Sequence, residues 1–300
     1  MRTIKSNSVY VTSVDHQTAQ DSFSRIIERF SSSIAQDCRT ISIKVNLCDY
    51  RKAASGATTD PVLLDALLKV LTIRYPSAQV YILENDATAV EAHSLFSILG
   101  IKHVADKHGA RLFNVAEGDW VTKKIPKGIV FKELEVPEIL QRSDLFINFP
   151  KLKTNSLTKT TGNLKNIFAF LRTKHKSVYH PKIDDVLVDM NQVIHPHLCI
   201  VDGLIGMEGQ GPAFGRPKKC GLLIGGVDPV AVDACCARIM GFNPWFIEHI
   251  RRCYRVGVGN IRFRLDTDIS GFDFNTYRFD YSRIEHIART FLRKRVGVSG

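Results

Sequence analysis

Between Asn148 and Lys182 the chain carries eight Lys or Arg residues, two histidines and several amides and hydroxyls, with no carboxylate among them. Side chains of that kind gather around an anion, because ammonium groups and amide N–H groups are donors that match phosphate or carboxylate oxygens. The segment follows Asp144-Leu-Phe-Ile-Asn-Phe149, an apolar run bounded by polar residues that reads as a buried strand. The basic cluster therefore begins at the carboxyl end of a strand, where open α/β sheets take their ligands. Pro150 presses Phe149 toward extended geometry, so Lys151 and Lys153, two residues apart, share one face of the chain and their ammonium groups converge. Gly162-Asn163 then opens a helix predicted to run from Leu164 to Leu171, with Thr160, Thr161 and Asn163 as donors at its amino end and Lys165 one turn in. That is the logic of a phosphate-binding loop without its G-x-x-x-x-G-K-[ST] pattern. A solvated basic loop is the alternative, against which Leu152, Leu157, Leu164, Ile167 and Phe168 indicate that much of the segment packs.

Four further groups of residues have types and spacing suited to chemistry. Lys44 and Asn46 end a second strand on one face, opposite a helix start at Thr58, Thr59 and Asp60 that offers unpaired N–H groups; helix capping and turn formation explain the same residues without a ligand. His175 and His180 precede Asp184 and Asp185, and a loop histidine such as His180 can transfer protons near neutral pH or join a metal site. Asp202-Gly-Leu-Ile-Gly-Met-Glu-Gly-Gln-Gly-Pro212 reads as a glycine-rich loop able to approach a ligand closely. Its acids, Asp202 and Glu208, would either pair with the lysines or hold a divalent ion, and oxygen-only ligands favour Mg²⁺ or Mn²⁺. In Asp228-Pro-Val-Ala-Val-Asp233 the first acid caps a helix, while Asp233 lies one turn inside an apolar helix and needs a partner, for which a lysine of the basic segment would serve.

The elements that must position these groups follow from periodicity. Strands are predicted at Ser8-Val-Tyr-Val-Thr12, Thr40 to Leu47, Gln79 to Leu83, Arg111 to Val115, Asp144 to Phe149, Leu198-Cys-Ile-Val201 and Cys220 to Ile224, with helices of 3.6-residue period between most of them. Residues 118 to 136 look like an inserted strand pair. Strands alternating with helices imply an α/β fold, a mainly parallel sheet with helices on both faces. One α/β domain is expected over residues 1–245, followed by a small basic C-terminal appendage over residues 246–300 that includes an Arg-rich terminal helix.

Composition narrows the class. A hydrophobic content of 44% over 300 residues is ample for a packed core. The net charge of +11 is local, since residues 148–182 alone contribute +8. No run approaches the roughly 18 apolar residues of a membrane span, and Met1-Arg-Thr-Ile-Lys-Ser lacks a secretory apolar stretch, so the expected location is the cytoplasm and no membrane partner is expected. The seven cysteines are scattered without a C-x-x-C pair, which writes neither a disulfide framework nor an intrinsic iron–sulfur motif.

Taken together, Lys44-Val-Asn46 with Thr59 and Pro61, Pro150-Lys-Leu-Lys-Thr154, Asn163-Leu-Lys-Asn166, Asp202-Gly203 with Glu208-Gly-Gln-Gly-Pro212, and Asp228-Pro-Val-Ala-Val-Asp233 resemble the DUF362 family over about residues 40–245. The resemblance implies a shared core and no settled reaction. Many members of that family carry an appended ferredoxin-like module, which implies a link to oxidoreductase metabolism; this chain has no such module and has Asn155 where a histidine is expected.

The leading expectation is an enzyme-like protein that binds a phosphorylated or carboxylated small molecule at the carboxyl edge of the sheet. Lys151, Lys153 and Lys165 would hold the anion, and Asn46, Thr59, Thr154, Asn163 and Asn166 would orient it. Lys153, His180 and Asp233 are the candidate catalytic groups, and Asp202 and Glu208 the candidate metal ligands. The alternatives are an RNA- or DNA-binding protein using residues 148–182 with the Arg-rich C-terminus, and a redox-pathway subunit that works with a separate iron–sulfur protein.

Overall fold

The computed structural model describes residues 7–87 and 90–281. From its amino end the chain runs through β1 (Ser8–Ser13), α1 (Ala19–Arg29), β2 (Thr40–Lys44), α2 (Pro61–Arg74) and β3 (Gln79–Glu84), then α3 (Ala92–Ile98), α4 (Ile101–His108) and β4 (Arg111–Asn114). The inserted pair is β5 (Trp120–Lys124) and β6 (Glu133–Pro137), which leads through the single turn α5 (Ile139–Arg142) into β7 (Leu145–Asn148). The basic segment folds as β8 (Lys151–Asn155), β9 (Lys159–Thr161) and α6 (Asn163–Asn166), and α7 (Ile183–Asn191) comes next. The last elements are β10 (Leu198–Glu208), β11 (Arg216–Gly226), α8 (Pro229–Ile239), α9 (Glu248–Val256) and β12 (Arg264–Thr267).

One sheet takes ten of these strands in the order β12-β1-β11-β10-β7-β2-β3-β4, with β8 beside β10 and β9 beside β8. The run β10-β7-β2-β3-β4 is parallel throughout, while β11 is antiparallel to both of its neighbours and β9 to β8. The fold is the expected α/β class with a mainly parallel sheet. Side chains alternate across it, as the two-residue strand period requires. Leu145 and Ile147 of β7 pack into one cluster with Phe23 of α1 and Leu64 and Leu67 of α2, whereas Phe146 between them joins Val186, Leu187 and Met190 of α7 on the opposite face. Cys199 and Val201 of β10 likewise meet Ala231, Cys235 and Ile239 of α8. Helices begin where the sequence caps them: Asp60 accepts from the Val62 N–H at 2.8 Å, and Asp228 from those of Val230 and Ala231 at 2.9 and 3.0 Å.

Three local expectations change. The stretch after Val201, read as a glycine-rich loop, continues as strand to Glu208, and its glycines admit neighbouring chain rather than a ligand. A Cβ on Gly206 would lie 2.7 Å from the Leu152 carbonyl oxygen, and one on Gly203 would lie 2.9 Å from that of Leu222. The helix expected from Leu164 to Leu171 is a single turn, α6, followed by a 3₁₀ turn from Ile167 to Phe170. Residues beyond 245 also contribute to the main sheet, because β12 pairs in parallel with β1 at its edge. The expected Arg-rich terminal helix lies outside the described residues. Cys235 and Cys236 are core residues of α8, and burial pushes both thiols up. Among the described residues no helix is long and apolar enough to cross a membrane.

The β5–β6 hairpin is tied to the body by one buried acid. The Asp189 carboxylate of α7 accepts from the N–H groups of Ile129, Val130 and Phe131 at 2.8, 2.7 and 2.8 Å. Asp189→Ala strands three donors, so it should lower the unfolding free energy in urea titrations by about 3 kcal/mol or more. A loss below about 1 kcal/mol would show that water replaces the carboxylate at little cost.

Candidate functional site

Strands β2, β3 and β7 end side by side, with Lys44 in register with both Leu83 and Asn148. Just beyond these carboxyl ends lies a cavity of about 400 Å³. Its walls include Asn46 and Cys48 after β2, Glu84 at the end of β3, Lys153 from β8, Lys165 from α6 and Lys176 from the turn before α7. Phe168 and His180 close one side, their rings stacked with centroids 6.2 Å apart.

The four lysines of this cavity differ in what holds them. Lys44 is buried and donates to Glu84 Oε1 at 2.6 Å and to the Val45 carbonyl at 2.7 Å; burial lowers its pKa against the opposing pull of Glu84. Glu84 is positioned in turn by the N–H groups of Leu47 and Asn85, at 2.8 and 3.0 Å. Lys153, 1% exposed, donates to the Ala57 carbonyl at 2.7 Å and lies 3.4 Å from Cys48 Sγ. Lys176 donates to the main-chain carbonyl of Asp86, and burial brings its pKa down to about 8. The Lys165 side chain, partly buried, forms no hydrogen bond or ion pair among the described residues, and its ammonium lies 5.2 Å from the centre of the Phe168 ring. Burial and the nearby Lys153 charge bring its pKa down to about 8. Of these four, only Lys44 has a carboxylate within ion-pair distance among the described residues.

A chain of amides runs from the core to the cavity wall, which Asn46 and Asn166 line. Asn148 donates to the Asn163 carbonyl at 2.9 Å, which fixes the direction in which the amides donate along the chain. Its Oδ1 accepts from Asn166 at 2.7 Å, and Asn166 Oδ1 accepts from Asn46 at 2.9 Å. Asn46 Oδ1 ends the chain, buried and without a partner. Thr59 holds Asn46 in place by accepting its N–H at 2.8 Å.

Other expected site residues serve the scaffold. Lys151 and Lys153 share a face of β8 but do not converge on one ligand: Lys151 is fully buried and pairs with Asp202 at 2.8 Å, away from the cavity wall. Burial pushes the Asp202 carboxyl up, against the downward pull of Lys151. Glu208 instead meets Lys218 and Arg216, at 3.3 and 3.5 Å, so the two proposed metal ligands are committed to different cations. No group of three or more His, Cys, Asp or Glu side chains suited to a metal ion occurs among the described residues. Asp233 takes its partners from backbone rather than from a lysine: it accepts from the N–H groups of Asn163 and Leu164 at 2.7 and 2.9 Å. Those donors at the start of α6 are therefore used inside the protein, and Asn163 also gives its side-chain amide to Asp233 at 3.0 Å. Thr154 bonds the Gly209 carbonyl at 3.0 Å. Asn155 accepts from Leu157 N–H at 2.9 Å, turning the chain between β8 and β9. His175 is not among the cavity residues, whereas His180 is.

The sequence reading missed Glu84, Cys48 and Lys176 as wall residues. The rule that pointed to the end of β7 applies equally to Glu84 at the end of β3 and to the polar loop after β2 that contains Cys48. Lys176 carried no local signal beyond the charge of its segment.

Because Lys151 and Asp202 form a buried pair, removing one partner leaves the other uncompensated. Lys151→Ala should cost about 3–5 kcal/mol of stability, and the double variant Lys151→Met, Asp202→Leu should cost markedly less. Equal losses in chemical denaturation of the two proteins would contradict this account of the pair.

Comparison with known proteins adds a family. Over residues 41–238 the chain matches the family described as "Domain of unknown function (DUF362)". It is 30% identical over 135 residues to the thylakoid-associated protein sll1697 of Synechocystis sp., a match that covers 43% of this chain and 42% of that protein. The matched region thus spans less than half the length of that relative. Among solved structures it resembles the lactate racemase apoprotein from Thermoanaerobacterium thermosaccharolyticum, with 13% identity and a TM-score of 0.46, over 80% of this chain and 59% of that one. The family match takes in the cavity lysines, Glu84, His180 and the amide chain, as well as well over half of the sequence, and the chain belongs to the DUF362 family.

Proposed function

We propose that this chain is an enzyme-like protein that binds an anionic small molecule, phosphorylated or carboxylated, in the cavity at the carboxyl edge of its sheet. The observation that carries the reading is the Lys165 ammonium, which faces the cavity region with a cationic neighbour and no acceptor among the described residues. Lys165 is partly buried, and a cation with reduced access to water and no counterion gains from a bound anion. Lys153 and Lys176 supply the other two charges, and neither has a carboxylate partner among the described residues. Asn46 and Asn166 orient the ligand, and His180 is the proton-transfer candidate within the same walls.

Burial within the basic segment favours a small ligand over a nucleic acid. Lys151, Lys153 and Lys176 are 0%, 1% and 8% exposed, so these three of its eight basic residues cannot line up along a polymer backbone, which leaves Arg172, Lys174 and Lys182 as its exposed cations.

The depressed lysines give a signed pH dependence. Lys165 and Lys176 carry their charge below about pH 8 and lose it above, so anion affinity should be greatest on the acid side and fall through that range. Calorimetry with oxalate, whose own charge is constant there, should show this fall. Lys165→Gln and Lys153→Gln should each weaken binding by about tenfold or more with folding retained, since each removes a charge-assisted hydrogen bond. Oxalate and inorganic phosphate affinities unchanged by both substitutions would place any anion site elsewhere.

A further inference from the structure

Of the four lysines around the cavity, three donate to an oxygen of the protein: Lys44 to Glu84, Lys153 to the Ala57 carbonyl and Lys176 to the Asp86 carbonyl. An oxygen acceptor favours the protonated ammonium, which has no lone pair to offer. Lys165 alone among them has no such acceptor among the described residues. The Phe168 ring, 5.2 Å from the ammonium, favours the cation weakly, while burial and the Lys153 charge work against its protonation. Lys153 and Lys176 remain to anchor an anionic group, and His180 shares the wall.

We propose that Lys165 is a nucleophilic amine that forms an imine with an anionic carbonyl compound, a 2-oxo acid whose carboxylate is held by Lys153 and Lys176. This deepens the anion-binding reading of the cavity and rests on it. The nitrogen lone pair attacks the carbonyl carbon, forming the C–N bond of a carbinolamine. The C–O bond then breaks, and the oxygen leaves as water after taking up two protons, one of which originates on the amine nitrogen and the other is delivered through His180. Amine, carbonyl and the one proton delivered through His180 give protonated imine and water, with no change of oxidation state. The protonated imine withdraws electrons from the bonds next to it, which is the use to which enzymes put lysines in low-polarity surroundings. With its pKa near 8, on the order of a hundredfold more of Lys165 than of an ordinary surface lysine is the free amine at neutral pH.

The probe is pyruvate with sodium cyanoborohydride, which reduces imines in preference to ketones, applied to the full chain and followed by intact mass and peptide mapping. A single reduced adduct at Lys165 is expected, formed faster as pH rises toward about 8, blocked by excess oxalate and absent in Lys165→Arg. Lys153→Gln should raise the pyruvate concentration needed for half-maximal labelling while Lys165 remains the labelled residue. No adduct at Lys165, or labelling spread evenly over surface lysines, in a protein that still binds oxalate overturns the imine and leaves the anion site standing. Failure to bind oxalate as well removes both.

Discussion

The Lys151 ammonium and the Asp202 carboxylate, both without solvent exposure, meet at 2.8 Å, and the geometry of the basic segment hangs on that contact. Asp202 also accepts the N–H of Asp60 at 3.1 Å, so one carboxylate joins β8, β10 and the start of α2. Two buried charges in a medium of low polarity hold each other far more firmly than they would in water, and neither element can shift without exposing one of them. With Lys151 pinned inward, β8 lies along β10 and delivers Lys153, two residues on, to the loop after β2. The glycines of β10 permit this approach, because a side chain on Gly206 would strike the Leu152 carbonyl.

The same economy governs α6. A one-turn helix has little intrinsic stability. Asp233 supplies what is missing by taking two of its N–H groups, and this pulls α6 onto α8 across a contact that leaves no room for a side chain on Gly162, whose Cβ would lie 2.4 Å from Asp233 Oδ1. Lys165 is thereby carried on a short turn clamped at its base, while its own ammonium is left without an acceptor among the described residues. Burial of the clamp pushes the Asp233 carboxyl up, offset by the donors it accepts. The polar residues around the cavity thus divide into those whose hydrogen bonds are consumed by the scaffold and the few whose donors remain for something else.

Much of the fold was legible in the chain itself. Alternating apolar residues at Thr40 to Leu47, the apolar run in Asp144 to Phe149, helices of 3.6-residue period between strands and the Asp-Pro caps before α2 and α8 were enough to specify a mainly parallel α/β sheet and the edge at which the cavity opens. The absence of carboxylates from residues 148–182 marked the segment that supplies Lys153, Lys165 and Lys176 to the cavity wall. These are local properties, and local geometry is what periodicity and capping report.

The sequence by itself therefore determined the class of fold, where most strands of the main sheet lie and the identity of the basic segment, but not where strands such as β10 and β11 end. Only the tertiary structure decided which of its charges are spent. Lys151 and Lys153 look equivalent in sequence, two residues apart in one strand, yet the first meets Asp202, fifty-one positions away, and the second does not. Asp233 was recognisable as an acid in need of a partner, but the partner proved to be the backbone of a turn seventy positions earlier. Glu84 entered the site because β3 lies beside β2, a neighbour relation set by the order of strands in the sheet. Pairing of charges depends on distances between residues remote in the chain, and no pattern of spacing along the chain encodes them.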